Sequence, residues 1–167
     1  MKPTEAPAST SAIVDAARPT VFAGLKGRGA DNILTVEAAA MIPMVAAMLA
    51  DGRVEDEEFA QIEHICAFSP LWDRNSQTEN AAAIVRTIKL IEDHGIPATC
   101  QRAAALLSEP LRETAFAFAV RVVFSDGYVG QLERDVVEQM IPWLGLSPDR
   151  ARMIIEVVSI MNHPATA

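Results

Sequence analysis

The chain has 167 residues, half of them apolar but only 5% aromatic, and a formal net charge of −8. An acidic balance argues against a nucleic-acid partner or an anionic membrane surface, because phosphate recruits basic footprints. It fits a solvated surface, a basic protein partner or cation binding, and charge alone does not choose among them.

The apolar residues are mostly Ala, Val, Ile, Leu and Met, a mixture suited to closely packed helices. The length fits one domain with a real core. Residues 1–18 are rich in Pro, Ala, Ser and Thr with no apolar signal region, and read as a flexible tail. A short helix is allowed over Ser11–Ala17, before Pro19. Gly24–Asn32 holds three glycines and reads as a loop. Thr35 stands where an N-cap belongs, ahead of an apolar helix from Val36 to Leu49 with a kink expected at Pro43. Asp51-Gly52 is a stop-and-turn signal. An amphipathic helix follows from Asp56 to Phe68, with Phe59, Ile62 and Ile65 at helical spacing.

Ser69-Pro70-Leu71-Trp72 breaks that pattern, and a long helix resumes at Ser76 or Thr78 with Ile84, Ile88 and Ile91 on one face. His94-Gly95 closes it. Pro97 opens a helix to about Ser108, and Pro110 opens another to Phe124. Gln131–Trp143 forms the next, and Ser147-Pro148 caps a last helix to about Met161. No segment alternates with period two, so no sheet is expected. No apolar stretch reaches membrane length, so no membrane insertion is expected and the chain reads as cytoplasmic. One domain over 19–167 is expected.

A repeat organises this pattern. Val45–Ile65 reads VAAMLADGRVEDEEFAQIEHI, and 75 residues later Val120–Met140 reads VRVVFSDGYVGQLERDVVEQM. Asp51, Gly52, Val54, Glu58 and Glu63 match Asp126, Gly127, Val129, Glu133 and Glu138. Each copy is an apolar helix, a D-G-x-V turn and an amphipathic helix with an early Glu. Gly serves the turn, and Glu at the third helical position can reach back to a free backbone N–H. Val is expected to plug the core and fix the angle between the helices. Asp at a helix end is less well placed, unless it caps the next helix.

The same geometry could gather oxygen ligands around a divalent cation. The candidate ligands are Asp51, Glu55, Glu58, Asp126 and Glu133, with Asp56 beside the first set. Gly130 and Gln131 replace Glu55 and Asp56 in the second copy, which makes it the weaker site. The string matches the end of an EF-hand loop, but Ala47, Leu49, Val122 and Phe124 stand where earlier ligands belong, which excludes that motif.

With these residues in view, Ala50-Asp51-Gly52-Arg53-Val54 with Glu58, and Ser125-Asp126-Gly127-Tyr128-Val129 with Glu133, the chain resembles the TerB tellurite-resistance family. The Leu144-Gly145-Leu146-Ser147 turn resembles it too, and the likeness covers Val36 to Met161. A wider TerB-like group includes the N-terminal domain of DnaJ-type membrane co-chaperones. The resemblance implies an all-α compact bundle of about seven helices with two pseudo-symmetric helical-hairpin halves. It also implies a role in tellurite and other stress responses, with metal binding at acidic residues.

Nothing here reads as an enzyme. No G-x-S-x-G, P-loop, dinucleotide fingerprint or H-E-x-x-H occurs. His64, His94 and His163 are isolated, and Lys26-Gly27-Arg28-Gly29 reads as loop. Cys66 and Cys100 read as buried thiols, and Trp72 and Trp143 as lids on the core. The leading expectation is a non-enzymatic module that docks a protein partner and holds a divalent cation, with a homodimer as one form of assembly. The alternative is a metal-free interaction scaffold.

Overall fold

The computed structural model describes residues 34–52, 54, 56–125 and 130–162. They form seven helices: α1 Val36–Met48, α2 Asp56–Phe68, α3 Gln77–His94, α4 Ile96–Leu106, α5 Glu109–Val123, α6 Gln131–Trp143 and α7 Pro148–Met161. No strand occurs among the described residues. The expected tail, the helix at Ser11–Ala17 and the loop at Gly24–Asn32 lie outside them. The protein is an all-α bundle.

Local chemistry sets the helix starts. The Thr35 hydroxyl accepts from the Ala38 N–H at 3.2 Å, capping α1. Ser76 and Glu79 form a reciprocal capping box at α3, and the hydrogen bonds from Ser76 hold the Glu79 carboxyl below its ordinary range. Ser147 caps α7, whose first residue is Pro148. The α1 helix continues through Pro43, which lies inside it.

Gly145 ends α6. Its φ of +63° suits glycine, its N–H donates to the Pro142 carbonyl, and the Leu146 N–H reaches back to Ile141. A Cβ at this position would stand 2.8 Å from Nη1 of Arg112, which donates to the Leu144 carbonyl at 3.0 Å. Gly145→Ala is therefore expected to cost about 1–3 kcal/mol from backbone strain, plus disturbance of that bond. Thermal unfolding checks it, and an unchanged midpoint would contradict the turn geometry.

The core is built around α1. Every residue from Ala39 to Met48 is buried. Helices α2 to α6 all pack on it, and α5 makes the most extensive contact. Small Ala positions allow that close approach. Met41, Met44 and Phe116 fill the space between. Trp72 is buried as expected for a lid, with its indole N–H donating to the Glu37 carbonyl and its ring beside Phe118. Trp143 is half-buried.

Several features recur 75 residues apart. Helices α2 and α6 each span 13 residues at that spacing, and α1 and α5 end at that spacing. The residues that follow, Leu49 (φ −90°, ψ 4°) and Phe124 (φ −88°, ψ 8°), have the same backbone. Their N–H groups bond back to Val45 and Val120, and those of Ala50 and Ser125 to Ala47 and Val122. Helix contacts correspond as well: α1 with α2, α3 and α6 answers α5 with α6, α7 and α2. Helix α4 has no counterpart among the described residues.

Candidate functional site

The first D-G-x-V corner joins α1 to α2. Asp51 is exposed in the turn, and Gly52 has φ +78° with its N–H on the Leu49 carbonyl. Glu58 lies in the first turn of α2, where the helix dipole favours a carboxylate, but its side chain is 6% exposed. Glu55 lies outside the described residues. Val54 is 37% exposed, so it does not plug the core as its apolar character suggested. Phe59 and Ile62 of α2 take that role, since they face inward on the following turns.

In the second copy Asp126 and Val129 lie outside the described residues. Glu133 behaves as its position predicts: it is the third residue of α6, and its Oε2 accepts the Gly130 N–H at 2.5 Å. One oxygen of this carboxylate thus serves the helix cap. Among the described residues no three His, Cys, Asp or Glu side chains come together in a way that could hold a metal ion. Of the five candidate ligands, the structure describes Asp51, Glu58 and Glu133.

What the first corner does present is charge. Five of the eight residues from Asp51 to Glu58 are acidic. Asp56 and Glu57 are exposed, and no ion pair among the described residues engages either of them. Helix α2 contains no Lys or Arg. Its far end differs: Phe68 is 77% exposed and leans on the His64 ring.

The thiols are buried and unpaired. Desolvation, aided by the Glu63 charge, pushes Cys66 up to about 12, and desolvation alone pushes Cys100 up to about 12. Both are poor nucleophiles in this state.

Sequence reasoning missed a cleft of about 520 Å³ at the other end of α1. The first turn of α1, the connection from Pro70 to Asn75, and α3 line it, with Arg74 and Arg86 among its residues. Three separated segments build it, so no local motif could announce it.

The arrangement of helices and corners can be set beside known proteins. The family profile described as Tellurite resistance protein TerB matches residues 37–156. The chain belongs to the TerB family. The TerB match runs from α1 into α7 and takes in both D-G-x-V strings. No curated protein matches the chain. No solved structure matches it. No helix among the described residues is long and apolar enough to cross a membrane.

Proposed function

We propose that this TerB-family chain is a non-enzymatic, cytoplasmic module of tellurite and stress tolerance that docks a basic protein segment on the start of α2. The observation that carries the reading is the pair Asp56 and Glu57, exposed and without cationic partners among the described residues, on a helix free of Lys and Arg. Two exposed carboxylates beside Asp51 steer and orient a basic partner more than they add raw affinity. The correspondence of helix ends and helix contacts at the 75-residue spacing supports two pseudo-symmetric halves, with the acidic corner belonging to the first.

The test is complementation of a deletion strain under tellurite. The unaltered chain should restore growth, and Asp56→Lys/Glu57→Lys at equal protein level should not. Each reversal costs only about 0.3–1 kcal/mol through the helix dipole, so the fold should survive, which circular dichroism verifies. Full restoration by the reversed chain would end the docking reading. No restoration by the unaltered chain would end the tellurite reading.

A second reading places a divalent cation at Asp51, Glu55 and Glu58, with a weaker site at Asp126 and Glu133. The acid density of the first corner favours it, because like charges this close gain from neutralisation. Calorimetric titration with Ca²⁺, Mg²⁺, Mn²⁺ and Zn²⁺ decides it. Binding heat that Asp51→Asn removes supports the site, and absence of heat with all four ions leaves the metal-free scaffold.

A further inference from the structure

We propose that the cleft at the N-terminal end of α1 binds the carboxylate end of an apolar peptide segment. This site lies about 20 Å from the acidic corner, the length of a 13-residue helix at ~1.5 Å per residue. It is independent of the docking proposed there.

The apolar surface open in the cleft comes from Ala38, Pro70, Leu71 and Ala83, and the buried Met41 and Trp72 close it from beneath. The walls are fixed before any ligand arrives. Trp72 is tied to α1 through the Glu37 carbonyl, its own N–H bonds to the Ser69 carbonyl, and Asn75 is pinned by Asn80 at 3.0 Å. A preformed hollow of this volume is the size that takes a small molecule or one or two residues of a peptide.

The rim supplies the polar recognition. Arg74 from the connection and Arg86 from α3 both line the cleft, and neither forms an ion pair among the described residues. Guanidinium groups match a carboxylate or a phosphate by paired N–H donors. Glu37 and Asp73 on the same rim decide between the two. Two cations and two anions leave the cleft near neutral, so a phosphate dianion meets repulsion that offsets its attraction. A carboxylate brings a single charge, and its apolar body adds burial against the partly exposed Pro70, Leu71 and Ala83 of the lining. A peptide C-terminus after an aliphatic residue has this combination, and capture of a terminal carboxylate is an established mode of peptide recognition.

The chain has two tryptophans, Trp72 and Trp143, so Trp143→Phe leaves a single reporter in the cleft. N-acetyl-leucine is the smallest probe of the proposed chemistry. Its titration should change Trp72 fluorescence and shift the Trp72 indole N–H resonance. N-acetyl-leucinamide, which lacks the charge, and inorganic phosphate, which lacks the apolar body, should each bind at least tenfold more weakly. Arg74→Gln/Arg86→Gln should weaken N-acetyl-leucine at least tenfold, since a single lost charge-assisted hydrogen bond already gives about that factor, without moving the thermal midpoint. Should Trp143→Phe unfold the chain, the indole resonances of the unaltered protein give the same reading. Equal response to the acid and its amide, a response to phosphate alone, or no response to N-acetyl-leucine at tens of millimolar would overturn the proposal. None of these outcomes bears on the acidic corner.

Discussion

Truncating Phe116 to Ala is expected to lower the unfolding free energy by about 3–5 kcal/mol, the range for large aromatic truncations in closed cores. Phe116 is fully buried on α5, the helix that makes the most extensive contact with α1 among the described residues. The buried methionines Met41, Met44 and Met48 of α1 can relax only partly toward the vacated volume, so most of the cavity cost remains. For a chain of this size the loss corresponds to a thermal midpoint lower by about 6–20 °C. The residue 75 positions earlier is Met41, also fully buried, on α1. Met41→Ala should cost about 2–5 kcal/mol by the same mechanism. If both lie in one continuous core, the double variant should depart from additivity by more than about 0.5 kcal/mol. Urea unfolding of the two single variants and the double variant measures all three quantities. A loss under about 1 kcal/mol for Phe116→Ala would mean that α1 and α5 do not form the structural centre.

The helices were legible because their signals are local. Thr35, Ser76 and Ser147 are capping residues next to apolar periodicity, and the structure uses each of them as a cap. Pro97, Pro110 and Pro148 stand in the first turns of their helices for the same kind of reason. The Glu133 capping role followed from counting three residues from Gly130. Residue type misled at Val54, because apolar character says nothing about direction. The chain leaves the corner with Val54 turned partly to solvent, and the periodic set Phe59, Ile62 and Ile65 carries the contact instead. The position of Glu58 was readable, but its burial was not. Burial is set by how the other helices pack around α2, and no pattern within eight residues encodes that. The cleft with Arg74 and Arg86 was invisible for the same cause, since its walls come from three parts of the chain.

Alkaline pH is expected to destabilise the fold through its two thiols. Cys66 and Cys100 are both at 0% exposure, and burial raises each thiol from 9.0 to about 12. Between those values the folded chain keeps two protons that the unfolded chain releases. Stability therefore falls as pH rises wherever the folded state binds more protons. The contribution is fully present below about pH 9 and is lost progressively toward pH 12. At pH 10.5 the loss is on the order of 2 kcal/mol for each thiol, which is large against a total stability of about 5–15 kcal/mol. Other side-chain types also ionise at alkaline pH, so the unaltered chain alone cannot isolate the effect. Cys66→Ala/Cys100→Ala removes it at a modest packing cost that does not change with pH. The unaltered protein should be the more stable below pH 9, by that packing cost, and its advantage should shrink and then reverse as pH rises past about 10. Parallel curves from pH 8 to 11 would show that the thiols ionise without unfolding the chain, and that the helices around them admit water.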